Sequence, residues 1–232
     1  MKQLVIMSDI HGNLAALEAI VASLPQQADV IVAGDLCLDG PRPAEVLDLL
    51  ADLGWTLILG NTDRDIVECP DDLKPHQAEV VRWTREQLGE ARLRRLSSLP
   101  FSTRFAGEGD DAVLVVHANP LNLDEHLPPT MSEEELRPYL REVDAALLAF
   151  GHLHTPYVRP VNGIVLVDVS SVGHPKDRDL RAAYTVISWE NERRSIEQVR
   201  VPYDVERTVG ELRSCGMPHA EEQVASLLKA SY

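Results

Sequence analysis

Five times along this chain a short, mainly apolar run ends on a small or polar residue: Leu4-Val5-Ile6-Met7, Val30-Ile31-Val32-Ala33, Trp55 to Leu59, Ala112 to Val116 and Ala145 to Phe150. Runs without polar alternation belong to strands covered on both faces, because a strand with one wet face alternates. Between the first three runs apolar residues recur at helical spacing: Leu14, Leu17, Ile20, Val21 and Leu24, then Val46, Leu47, Leu49 and Leu50. Strand-helix-strand units of this size imply parallel neighbours. Their loops therefore share one edge of one sheet, and α/β proteins place chemistry beyond the carboxyl ends of their strands.

Further along, Pro75 to Leu99 reads as helical with a break at Gly89, and Pro100 stops it. Phe101 to Phe105 and Ala112 to Val116 flank an acidic turn, Gly107-Glu108-Gly109-Asp110-Asp111, and read as a hairpin. Ser132-Glu133-Glu134-Glu135 has capping-box spacing for a helix. Tyr157 to Pro160, Ile164 to Val169, Ala183 to Trp189 and Ser195 to Val201 read as antiparallel strands, with turns at Asn162-Gly163 and Asn191-Glu192. Amphipathic helices over Val205 to Cys215 and Ala220 to Leu228 finish the pattern.

Each strand exit carries a group able to bind a metal or a phosphate. In order they are Asp9 and His11, Asp35, Asn61, His117, and the pair His152 and His154 in Gly151-His152-Leu153-His154. The bland readings remain open beside this one: Asn13 as a helix N-cap, Asp9 as a turn residue and Asp63 as a helix cap. At 232 residues with no Pro/Gly/Ser-rich divider, residues 1–232 are expected to form one domain. The longest apolar run is far short of a membrane span, and Met1-Lys2-Gln3 leads into a strand rather than a signal peptide. With three unpaired-looking cysteines, Cys37, Cys69 and Cys215, the expectation is a cytoplasmic protein without disulfides. A net charge of -15 argues against long nucleic acid as a partner. It also means that a phosphorylated substrate needs strong local positive charge, for which divalent metal is the obvious source.

The ordered set D-x-H, G-D, G-N-T-D, H and G-H-x-H resembles the calcineurin-like metallophosphoesterase superfamily. Ser8 to Asn13, His117-Ala118-Asn119-Pro120 and Ser171-Val172-Gly173-His174-Pro175-Lys176-Asp177 are similar to the small bacterial and archaeal phosphoesterases of the YfcE-like group. The resemblance implies an α/β four-layer αββα sandwich, two mixed β-sheets flanked by helices, with two divalent ions (Mn²⁺, Fe or Zn²⁺) at the sheet edge. Asp9, His11 and His154 would hold one ion, Asn61, His117 and His152 the other, and Asp35 would bridge them. Asp35, Asn61 and His117 would serve catalysis by in-line attack of a hydroxide shared by the ions on a small phosphorylated substrate.

The departure is Thr62, where the family's full pattern has a histidine that protonates the leaving group. A threonine hydroxyl cannot replace it near neutral pH, which points towards phosphodiesters or activated leaving groups. Asn13, Thr62 and His174 are candidate substrate contacts, with an ordinary charged turn as the other reading of His174. The alternatives are a phosphomonoesterase or protein phosphatase, a dinucleoside polyphosphate hydrolase, or a non-catalytic scaffold. A homo-oligomer is possible, and His76, His126 and His219 read as surface residues.

Overall fold

Alternation along the first strand sets the layering. The computed structural model describes residues 2–109, 111–191 and 193–231. In chain order its elements are β1 (Lys2–Met7), α1 (Leu14–Ser23), β2 (Asp29–Val32), α2 (Pro43–Leu53), β3 (Thr56–Leu57), α3 (Asn61–Glu68), α4 (Pro75–Ser97), β4 (Ser102–Phe105) and β5 (Val113–Val116). Then come α5 (Glu133–Leu140), β6 (Leu147–Phe150), β7 (Tyr157–Val161), β8 (Ile164–Asp168), β9 (Ala182–Glu190), β10 (Arg193–Val201), α6 (Val205–Ser214) and α7 (Ala220–Lys229). In β1, Leu4 and Ile6 face the second sheet while Val5 and Met7 face helices, and all four are fully buried. A strand apolar on both faces needs a layer on each side.

The result is two mixed five-stranded sheets, ordered β10-β9-β1-β2-β3 and β4-β5-β6-β8-β7. Ile31, Ala33 and Ile58 of the first sheet's side meet Val113, Val115, Leu147, Ala149 and Val167 of the second, with Trp189 closing one end. Helices α1, α2, α6 and α7 cover the outer face of the first sheet. Leu136 and Leu140 of α5 cover the outer face of the second. This is the expected four-layer αββα sandwich.

The parallel pairing of β1, β2 and β3 follows the sequence pattern. After residue 157 the expected antiparallel pairing holds for β7 with β8 and for β9 with β10, while the strands' other neighbours depart from a simple run. Strand β8 is antiparallel to β7 but parallel to β6, and β9 returns to the first sheet to pair with β1. The expected kink at Gly89 is present inside α4 (φ 64°). Asn162 and Gly163, both with positive φ, make the tight β7–β8 turn. The turn residues Asp110 and Glu192 lie outside the described residues. Helix α3 begins earlier than a cap at Asp63 implies: Asn61 and Thr62, read as loop, form its first turn. Among the described residues, no helix is long and apolar enough to cross a membrane.

Candidate metal centre

The exits of β1, β2, β3, β5 and β6 converge on one cleft. Its backbone is unusual: Asp9, His11, Asp35, His152 and His154 all have positive φ, between 49° and 67°. Non-glycine residues rarely adopt that region, and surrounding structure must hold them there. Here the loops brace one another. Asp9 N–H donates to Gly34 O (3.0 Å), His11 N–H to Asp35 O (3.0 Å) and Gly151 N–H to His117 O (2.9 Å). Close approach also demands glycine at two exits. A Cβ on Gly60 would lie 2.1 Å from Asp35 Oδ1, and one on Gly151 would lie 2.4 Å from Asp9 Oδ2.

Two groups of ligand-type atoms result. Asp9, His11 and His154 offer atoms within 4.8 Å of one another, and Asp35, His117 and His152 do the same. Asn61 joins the second group, its Oδ1 being 2.8 Å from His117 Nε2. Asp35 straddles both, with Oδ2 3.8 Å from His11 Nε2 and Oδ1 3.5 Å from His117 Nε2.

The hydrogen bonds around the rings say which atoms face inward. His11 Nδ1 meets Leu38 O (3.0 Å), His117 Nδ1 meets Ala33 O (2.8 Å) and His154 Nδ1 meets His174 O (2.5 Å). A carbonyl only accepts, so each Nδ1 carries the hydrogen, and in the neutral ring Nε2 is a lone pair. His152 is reversed: Nε2 meets Asp124 O (2.9 Å), leaving Nδ1 inward. The inward atoms then crowd each other, 3.4 Å between His11 and His154 Nε2 and 3.2 Å between His117 Nε2 and His152 Nδ1. Buried Asp9 Oδ1 has no hydrogen-bond partner. Acceptors converging on acceptors fit a cation, and ring nitrogens each steadied by a carbonyl are the usual surroundings of metal-binding histidines.

The charges agree with that fit. Burial pushes the Asp9 carboxyl up, but His154, His117 and His11 outweigh it and hold the pKa well below the usual range. Burial lowers the pKa of His154 and His117, and the nearby carboxylates of Asp9 and Asp35 more than restore it. Burial, with His117 beside it, depresses His152 to about 4, so this ring is neutral at pH 7.

The other candidates sit around this centre. Asn13 is the N-cap of α1, accepting Ala16 N–H (3.1 Å) and the Thr208 hydroxyl (3.0 Å). Its amide donates to Gly173 O (3.1 Å) and Tyr203 Oη (3.2 Å), so the side chain is fully engaged. Thr62 N–H donates to Asp35 Oδ1 (3.0 Å), while its hydroxyl is enclosed without a partner. The backbone carbonyl of His174 orients His154, and its ring Nε2 lies 3.0 Å from Ser226 Oγ and 3.1 Å from Lys176 Nζ. Asp63 caps α3 by accepting Gly60 N–H (3.1 Å) and also takes Leu36 N–H (2.9 Å), tying two exits together. His126 is exposed, as the surface reading expects, and it also stacks on His152 with ring centroids 4.2 Å apart. Sequence offered no signal for that, because residue 126 lies mid-loop far from any strand exit.

The family model for calcineurin-like phosphoesterases matches residues 2–156, which contain both groups of ligand atoms. The chain belongs to this family. As a calcineurin-like phosphoesterase it is similar to the uncharacterized protein MJ0912 of Methanocaldococcus jannaschii, with 28% identity over 223 residues, 87% of this chain and 88% of that one. A metallophosphoesterase from Sphaerobacter thermophilus shares its fold over 99% of both chains (TM-score 0.79, 26% identity). The hypothetical protein PH1004 from Pyrococcus horikoshii OT3 has the same fold over 100% of this chain and 99% of that one (TM-score 0.86, 18% identity).

Proposed function

We propose that this chain is a phosphoesterase that uses two divalent cations to hydrolyse a small phosphorylated molecule, with a preference for phosphodiesters. The observation that carries this is Asp35, one carboxylate with an oxygen towards each of two ligand groups. When bound, such cations supply Lewis acidity towards phosphoryl oxygens and lower the pKa of water. Borderline-hard nitrogen and oxygen donors without thiolate favour Mn²⁺, Fe or Zn²⁺ over soft metals.

The chain's residues account for the rest. Asp9, His11 and His154 would hold one cation and Asn61, His117 and His152 the other. Asn61 contributes an oxygen without charge, so the site keeps net positive charge within an acidic protein. The left-handed turns fix these atoms before substrate arrives, which is the condition for electrostatic stabilisation without reorganisation. Thr62 N–H donates to Asp35 Oδ1 and so helps to hold the carboxylate with one oxygen towards each group. Position 62 offers no acid, the threonine hydroxyl being enclosed and too weakly acidic near neutral pH. Leaving groups that depart as stable anions are therefore favoured, and the monoester dianion, repelled by the acidic surface, is the poorer substrate.

The test is hydrolysis of bis-p-nitrophenyl phosphate against p-nitrophenyl phosphate by protein loaded with Mn²⁺, Fe²⁺ or Zn²⁺. Metal-stripped protein, Asp35→Asn and His117→Ala serve as controls. Faster diester cleavage that disappears in all three controls is expected. Much faster monoester cleavage would remove the diester preference, and full turnover by stripped protein would remove the metal mechanism.

A further inference from the structure

Three of the four ligand-type imidazoles are steadied by carbonyls of the first sheet's loops or of the loop after β8. His152 is steadied differently. Its Nε2 donates to the carbonyl of Asp124, which lies at the tip of the loop between β5 and α5. That loop is stiffened from within. Asn119 accepts the N–H groups of Leu121 (2.8 Å) and Asn122 (2.9 Å), and Asn122 accepts those of Asp124 (3.0 Å) and Glu125 (2.9 Å). His126, from the same loop, stacks on the His152 ring.

What ties this tip to the opposite wall is Arg64. The guanidinium grips the Asp124 carboxylate with two parallel bonds, Nη1 to Oδ2 at 2.8 Å and Nη2 to Oδ1 at 2.9 Å. Arg64 is in α3, one turn after Asn61, so a single helix carries one ligand of the second group and the anchor for another. A two-pronged bond fixes direction as well as distance.

We propose that Arg64 is a positioning residue for the second cation: through Asp124 it fixes the ring of His152, and thereby sets the affinity of the Asn61, His117 and His152 group separately from that of the Asp9, His11 and His154 group. This rests on the two-cation reading above. The size of the effect is bounded by the anchor. Arg64 and Asp124 are partly exposed, with side chains 28% and 55% accessible, and the Asn119 and Asn122 turns remain when the pair is lost. The expected weakening is about fivefold, below the roughly 10- to 100-fold that partners bonded directly to metal ligands usually contribute, because Arg64 acts one step further out.

A chelator-buffered Zn²⁺ titration followed by imidazole ¹⁵N shifts reads His152 and His154 separately. In Arg64→Ala the midpoint of the His152 Nδ1 signal is expected to move to about fivefold higher free zinc, while that of His154 Nε2 stays within twofold. Arg64→Lys, which keeps the charge and loses the fork, is expected to fall between. In an Asp124→Ala background, which retains the carbonyl, Arg64→Ala is expected to add nothing. Equal movement of both signals, or of neither, overturns the inference, as does an undiminished Arg64→Ala effect without Asp124. A wild-type His152 ring that never takes up zinc overturns the two-cation reading itself, and this inference with it.

Discussion

Asp9 Oδ1 and His154 Nε2 stand 3.0 Å apart, and in the neutral ring neither can donate to the other. The His154 hydrogen is committed to His174 O on the far side of the ring, and Asp9 Oδ1 is buried without a hydrogen bond. Buried acceptors left facing one another cost free energy that a cation between them returns. With the rings neutral, the fold therefore carries local destabilisation that cation binding relieves.

Metal removal is accordingly expected to lower stability. At a free cation concentration one hundred times Kd, one site contributes about 2.7 kcal/mol. For a chain of this size that corresponds to a rise in Tm of roughly 5 to 10 °C. Differential scanning calorimetry of stripped protein with and without added Mn²⁺ measures it, with Mg²⁺ as the comparison. An unchanged Tm across all divalent ions would contradict a built cation site.

Gly60→Ala is expected to damage the site more than a surface substitution of the same size. The new Cβ would fall 2.1 Å from Asp35 Oδ1 and 2.3 Å from Asp35 N, inside van der Waals contact. Asp35 is pinned by neighbouring exits, so the clash is relieved by moving the straddling carboxylate. A loss of about 1 to 3 kcal/mol in urea unfolding is expected, together with reduced metal stoichiometry. Native stoichiometry in the variant would show that Asp35 need not sit where it does.

Thr62→His is expected to change which leaving groups are tolerated. A departing p-nitrophenolate needs no proton, whereas an alkoxide does, and a positioned acid supplies about 10²- to 10⁴-fold. Turnover of alkyl phosphodiesters is expected to rise by at least tenfold, while bis-p-nitrophenyl phosphate changes only a fewfold. The Thr62 N–H bond to Asp35 comes from the backbone and survives the substitution. Equal effects on both substrate types would place position 62 out of reach of the leaving group.

Much of this architecture was legible because its signals are local. Unbroken runs such as Leu4 to Met7 require cover on both faces, and the polar residue after each run marks a strand exit. The seven ligand-type residues singled out at those exits meet in one cleft. What escaped depends on long-range pairing. Nothing near Ile164 says that β8 lies parallel to β6, and nothing near Ala182 says that β9 crosses back to β1. Helix α3 has only Ile66 and Val67 as apolar residues, too few for a periodic signal. The Arg64 to Asp124 bond and the stacking of His126 on His152 join residues 60 and 26 positions apart, through loops whose course no periodicity encodes.

Asp168, at the end of β8, supplies the last prediction. It is fully buried; Oδ1 accepts Ser170 N–H (2.8 Å) and Oδ2 has no partner. Burial raises its pKa well above the usual carboxylate value, the single Ser170 bond opposing and Asp9 and Asp177 adding to the rise. A carboxyl whose folded pKa exceeds its unfolded one favours folding fully below the unfolded pKa of 3.8 and loses that contribution as pH rises towards the folded value. Asp168→Asn keeps an acceptor for Ser170 and cannot ionise. Wild-type stability relative to this variant is therefore expected to fall from pH 4 upward, by at most about 1.4 kcal/mol per pH unit. Urea unfolding of metal-stripped wild type and Asp168→Asn at pH 5 and pH 8 measures the difference, other titrating groups being common to both. A difference that does not change with pH would mean that Asp168 ionises as readily in the folded chain as in the unfolded one.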